Sequence, residues 1–267
     1  PDPADTTRYI VYVDQSGIGM PDRDYYLKQD GNFPGYREAY SAYIAELFTL
    51  AGLADGARRA ASVMALETQI AEAHWTQEDS RDIKKTYNPM SAEALATLAP
   101  EFPWQRTFKE LGLESAPTYL VAQPSALDRT AEILARADDK VLQDWLAFHF
   151  ISNHAEYLSS AFDQAKWRFF SNTLRGVPAQ RERWKRGVNQ IDAMLGDAVG
   201  QVYVQRHFPP ESKAAMDDLV ADLIAALDER LRANEWMDEA TRTEALRKLA
   251  TFEPQIGYPA VWTDYSA

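Results

Sequence analysis

Cysteine is absent from all 267 residues. That lack alone removes disulfides, thiolate zinc sites and cysteine nucleophiles, whatever the compartment. Positive charge is scarce beside negative: 28 Lys and Arg stand against 40 Asp and Glu, a formal net charge of −12. Nucleic acid and anionic lipid are thereby disfavoured as main partners, because phosphate is repelled overall. No apolar run reaches the roughly 20 residues a membrane helix needs, and residues 1–7 lack the basic and apolar regions of a secretory signal. Histidine is sparse as well. Of His74, His149, His154 and His207, no two stand four apart around a glutamate, so the helix-borne His-Glu-x-x-His zinc pattern is missing. His149 and His154, five apart, point about 140° away from each other on a helix. The deaminase-like half-site His154-Ala-Glu156 lacks the cysteines that chemistry requires. Gly-x-Ser-x-Gly is absent, and so is any period of 30 to 50 residues that would mark a helical repeat array.

What is present is helical periodicity. In residues 181–208, Trp184, Val188, Ile191, Leu195, Ala198 and Val202 recur at steps of three and four, making one apolar stripe on a rod of roughly 40 Å. Gly196 and Gly200 interrupt it, and each costs about 1 kcal/mol against alanine in a helix interior; either another backbone packs closely there or the cost is simply tolerated. A second pattern places Met216, Leu219, Val220, Leu223, Leu227 and Leu231 on one face, with Ser212 as the expected N-cap. A third starts at Asp238 as cap, carries Ala245, Leu246 and Leu249, and is stopped by Pro254.

The amino-terminal part adds shorter elements. Residues 9–13 and 118–123 are β-branched and aromatic and read as two short strands. Tyr36, Tyr40, Tyr43, Ile44, Leu47 and Ala51 form an amphipathic helix ended by Gly52. Val63, Leu66, Ile70 and Ala73 mark the next, and asparagine before proline at Asn88 forces a turn before Ser91 caps another. Residues 104–111, 125–136, 140–158 and 162–174 read as further helices. The fold class is mainly α, a multi-helix domain with long helices and one or two short strands; the length suits one large domain or two smaller ones.

Two features invite a functional reading. Gly17 and Gly19 suggest a phosphate loop, but there is no third glycine, no Lys-Ser/Thr ending and no βαβ unit, so a turn is expected. Arg181, Arg183, Lys185 and Arg186 crowd a helix start, where the macrodipole disfavours positive charge. A solvated face explains them, and contact with an acidic segment or a peptide carboxylate is the sharper alternative.

Six segments in order then resemble one family. They are Val13-Asp-Gln-Ser-Gly-Ile-Gly-Met-Pro-Asp-Arg-Asp-Tyr-Tyr-Leu27, Tyr87-Asn-Pro-Met90, Arg183-Trp-Lys-Arg186, Leu195-Gly-Asp-Ala-Val-Gly-Gln-Val-Tyr-Val204 with Phe208, Trp236-Met237 with Thr241, and Ile256-Gly-Tyr-Pro259. Together they resemble the neprilysin and endothelin-converting-enzyme family of zinc metallopeptidases, in its bacterial type, over nearly the whole chain.

The resemblance implies a thermolysin-like catalytic domain and a large helical domain enclosing a chamber that admits peptides but not folded proteins. It implies zinc held by a His-Glu-x-x-His helix and a downstream glutamate, both following the Gly-Tyr-Pro region and hence expected past Ala267. Residues 1–267 are therefore expected to be the helical chamber-forming region, inactive alone, with no catalytic residue and no metal ligand, so that zinc belongs to the intact enzyme. The expected partners are the catalytic zinc domain of the same protein and peptide substrates. The site expected within the chain is a chamber or inter-domain contact at Arg183, Trp184 and Arg186. A catalytically inert helical peptide-binding protein is the alternative, and the family implies a periplasmic or secreted location.

Overall fold

The structure, a computed structural model, describes residues 1–266. The chain divides into two compact units, Pro1–Gln180 and Arg181–Ala267.

In the first unit, β1 (Val11–Val13) precedes the one-turn helix α1 (Asp24–Leu27). The antiparallel pair α2 (Phe33–Leu50) and α3 (Gly56–Ala73) forms its centre. Helix α2 ends as its glycine requires: Gly52 sits at φ +73, and the Leu53 N–H donates to the Phe48 carbonyl at 2.9 Å. Gly56 allows α3 to start against α2, because a β-carbon there would lie 2.7 Å from the Ala45 carbonyl oxygen. Tyr40, Tyr43, Ile44, Leu47 and Phe48 are buried at the expected spacing, against Ala60, Val63 and Ala71 of α3.

Short helices α4 (Gln77–Arg81) and α5 (Ile83–Thr86) lead to β2 (Pro89–Met90), then α6 (Ala92–Leu98), capped by Ser91 Oγ accepting from the Ala94 N–H at 3.2 Å. Helix α7 (Trp104–Glu110), β3 (Tyr119–Val121), α8 (Pro124–Arg136), α9 (Asp139–His154) and α10 (Ser160–Lys166) follow. The expected helix over 140–158 closes at His154 with a 3₁₀ turn, and the one over 162–174 becomes a π-helical turn at Trp167–Thr173. The wider turn brings Phe169 into a stack on Tyr43, centroids 5.4 Å apart, and to 5.1 Å from Tyr40.

The sheet has the order β1-β3-β2, with β1 parallel to β3 and β2 antiparallel. Two strands were legible in the sequence; β2 was not, because two residues beginning with proline carry no periodicity. Its turn is set by Asn88, whose side-chain amide donates to the carbonyls of Lys85 and Val121. The sheet packs on Leu95, Trp104, Phe108 and Ala131 to form a second hydrophobic core.

The second unit is three helices, α11 (Arg183–His207), α12 (Pro210–Arg232) and α13 (Glu239–Ala250), with residues 251–266 after them. Two expectations are corrected here. The rod over 181–208 is broken: Leu195 leaves helical geometry at φ −134, ψ 34, just before Gly196, where the missing side chain permits a kink. Ser212 does not cap α12, which begins at Pro210 because proline is preorganised for the first turn. Of the two readings of the glycine pair, close backbone packing is not seen among the described residues; a β-carbon on Gly196 meets nothing within 4 Å, while one on Gly200 meets the Trp262 ring at 3.0 Å. The segment after α13 folds back within this unit, with Tyr258 stacked on Trp262 at 5.9 Å and Thr263 donating twice to the Asp197 carboxylate. No described residue of this unit is buried, and the apolar stripes of α11 and α12 stand exposed, Ile191 at 50% and Leu223 at 61%.

Candidate functional site

The most heavily determined polar centre lies in the first unit and is built on Glu67. The residue sits on the inward face of α3 between Val63 and Ile70 and is fully buried. One carboxylate oxygen accepts from the hydroxyls of Tyr26 at 2.5 Å and Tyr40 at 2.9 Å and from the Gly19 N–H at 3.2 Å; the other meets His149 Nε2 at 2.8 Å. Burial, and then the charge of Glu67, push both phenols far above their ordinary range, which keeps them neutral donors. Taking a carboxylate out of water is costly unless its lone pairs are satisfied, and here four groups from α1, α2, α9 and the loop after β1 satisfy it.

That network fixes the loop carrying Gly17 and Gly19. Gln15 ties its own N–H to the Gln123 side chain at 3.0 Å, and its side-chain oxygen accepts from the Trp75 N–H at 2.7 Å. The Ser16 carbonyl meets His74 Nε2 at 3.1 Å, and the Gly17 carbonyl accepts from the Trp145 indole at 3.2 Å. The loop is a turn held from four sides, at φ +106 for Gly17. Burial lowers the His74 pKa, which keeps the ring neutral beside the chain. Beside this loop opens a cleft of about 700 Å³, walled by residues 11–18 together with Trp104, Leu127, Leu134, Trp145 and His149. Sequence reasoning passed over Glu67, although a carboxylate at a stripe position of an otherwise apolar helix face is a visible signal, and it weighed His149 only against His154.

The expected cluster of Arg183, Trp184 and Arg186 lies on the first turn of α11. Trp184 is 65% exposed, with the Lys185 ammonium 5.3 Å from its ring. The charge at this helix start is partly offset: Lys185 pairs with Glu182 at 2.8 Å, and Arg186 Nε donates to the Arg181 carbonyl at 3.1 Å. Of the remaining histidines, His154 Nδ1 contacts the Phe150 carbonyl at 2.7 Å, and the His207 ring lies 5.0 Å from Tyr203.

Zinc requires three or four nitrogen or oxygen donors converging at about 2.0–2.2 Å when no thiolate is available. Among the described residues no group of three or more His, Asp or Glu side chains is so placed, and these residues do not make a zinc site. Nor, among the described residues, is any helix long and apolar enough to cross a membrane.

The model of peptidase family M13, in its amino-terminal part, matches residues 1–259. Endothelin-converting enzyme 1 of Cavia porcellus is 28% identical over 283 residues, covering 100% of this chain and 37% of that protein. Endothelin-converting enzyme-like 1 of Homo sapiens is 26% identical, covering 97% of this chain and 34% of that protein. Among solved structures, the zinc metalloprotease Zmp1 of Mycobacterium tuberculosis in its open state is 37% identical with a TM-score of 0.85, covering 99% of this chain and 41% of that one. The chain spans little more than a third of the length of the curated relatives it matches.

Proposed function

The chain belongs to peptidase family M13, the neprilysin and endothelin-converting-enzyme family, and from that membership we propose that it is the non-catalytic helical part of a zinc-dependent endopeptidase. In this reading residues 1–267 form the wall of a closed chamber that admits peptides and small polypeptides and shuts out folded proteins. The zinc and the groups that act with it belong to a catalytic domain of the same protein, and this chain alone is inactive. The intact protein works in the periplasm or outside the cell.

One observation carries the reading. The stripes Val188, Ile191, Val202 on α11 and Met216, Leu219, Leu223, Leu227 on α12 are regular enough to be core, yet all stand exposed. An apolar helix face left uncovered marks a contact with other polypeptide, and the remainder of the protein is the occupant proposed here. Arg183, Trp184 and Arg186 open the same helix and are assigned to the chamber surface or to the contact with the catalytic domain.

The test uses the intact enzyme and a decapeptide, presented free and as a loop of a folded carrier domain. Cleavage of the free peptide with the embedded copy spared supports a size-limiting chamber. Equal cleavage of both rejects it, and no cleavage by zinc-loaded enzyme favours an inert peptide-binding protein instead. Replacing Arg183 and Arg186 with alanine should change peptide turnover; unchanged turnover removes that cluster from the chamber or the contact.

A further inference from the structure

We infer that the cleft beside β1 is a docking site for an extended, positively charged peptide segment, bound by adding a strand to the open edge of β1. The choice of a peptide rests on the reading above; the site itself is read from the first unit alone. In the order β1-β3-β2, strand β1 has a neighbour on one side only among the described residues. The Ala122 N–H donates to the Val13 carbonyl at 3.0 Å, so Val13 faces β3, and the alternation of a parallel ladder leaves the Tyr12 N–H and C=O on the unpaired side. The cleft is walled by all of residues 11–18 and by none of β3, which sets it against that unpaired side.

Open strand edges pair readily with another extended chain, and main-chain hydrogen bonds then supply affinity while neighbouring pockets supply selectivity. Here the pocket is apolar, with Trp104, Leu127, Leu134 and Trp145 in its wall, and at about 700 Å³ it lies within the range of ligand sites. Its polar lining includes His149, Asn153 and Thr130. His149 is oriented by Glu67, Asn153 is exposed at the rim, and Thr130 Oγ1 is buried with no hydrogen-bond partner among the described residues. The segment 14–19 is already fixed by Gln123, Trp75, His74, Trp145 and Glu67, so little ordering is left to occur on binding.

Charge complementarity selects the ligand. Among the described residues Asp14 is the one carboxylate lining the cleft; it is exposed, and no described lysine or arginine lines the site. A net charge of −12 adds long-range attraction for a cation. A lysine, an arginine or a free amino terminus at one end of the segment is the group that Asp14 would meet.

The experiment uses the intact enzyme stripped of zinc by chelation, so that the probe is not cut. The probe is a fluorescein-labelled hexapeptide of one lysine followed by alternating valine and threonine, with binding read by polarisation. One control replaces the lysine with glutamate; another carries N-methyl groups on alternate amides. Asp14 and Asn153 are exposed, so Asp14→Lys and Asn153→Trp leave the core intact. The lysine probe should bind about fivefold tighter than the glutamate probe, Asp14→Lys should reverse that order, and Asn153→Trp and N-methylation should each weaken binding about tenfold. A preference unchanged by Asp14→Lys, N-methylated probe binding as tightly as the parent, or no binding at all overturns the proposal. So does finding the Tyr12 amide protected from hydrogen exchange without any probe, since another segment then fills the edge. Cleavage of peptides by zinc-loaded enzyme tests the endopeptidase reading separately, and its failure leaves the binding result standing.

Discussion

Gly19→Ala is the smallest change that strikes the Glu67 centre, and its effect follows from one distance. A β-carbon at Gly19 would lie 1.9 Å from the Tyr40 hydroxyl oxygen and 3.0 Å from the ring carbon bearing it. Ordinary carbon–oxygen contacts begin near about 3.3 Å, so the hydroxyl must retreat by roughly 1.4 Å. Tyr40 has nowhere to go: it is fully buried, with Phe169 at 5.1 Å and Phe148 at 5.7 Å between ring centroids. Retreat also breaks its 2.9 Å bond to Glu67. Overpacking costs about 1–3 kcal/mol, and a buried hydroxyl left unpaired costs about 1–3 kcal/mol more. The expected loss is about 4 kcal/mol, read from urea unfolding followed by tryptophan fluorescence. A double-mutant cycle isolates the cause. Tyr40→Phe removes the oxygen that collides, so Gly19→Ala in the Tyr40→Phe background should cost about 2 kcal/mol less than in the native one. Strict additivity of the two changes would refute the collision as the mechanism.

Three further outcomes are expected. Glu67→Ala strands two phenols, an imidazole and an amide and should cost about 4 kcal/mol, with Glu67→Gln costing about half as much because an amide oxygen still accepts; both are read by the same unfolding assay. Tyr26 and Tyr40 have folded-state values raised above the unfolded phenol, so their contribution is complete below pH 10 and lost as the pH rises beyond it; Tyr26→Phe should unfold less steeply in alkali. Ser91→Ala removes the cap of α6 and should cost about 1 kcal/mol, seen as a lower urea midpoint at unchanged slope.

Much of this architecture is legible in the amino-acid sequence. Glycine marked the end of α2, and steps of three and four marked the inward faces of α2 and α3, whereas the start of α12 was expected at Ser212 and lies at Pro210. The boundaries that were missed depend on long-range partners. The π-helical turn at Trp167–Thr173 serves the aromatic cluster on Tyr43, and β2 exists because Asn88 and β3 are there to receive it. The same limit applied to the site. Glu67 is conspicuous on its helix, but its meaning requires Tyr26, Tyr40 and His149, which lie 41, 27 and 82 positions away in the chain. In the second unit the apolar stripes of α11 and α12 were legible, while their exposure was not, because periodicity shows that a face is apolar and not what covers it.

Metal content most directly tests the claim that these helices are the non-catalytic part of a zinc peptidase. The chain of residues 1–267 is equilibrated with zinc, dialysed, its bound metal counted, and then offered a fluorogenic peptide, alone and with the catalytic domain supplied. The account predicts far less than one zinc per chain and no cleavage alone, with both appearing in the presence of the catalytic domain. One tightly held zinc per chain together with peptide cleavage by these 267 residues by themselves would contradict it.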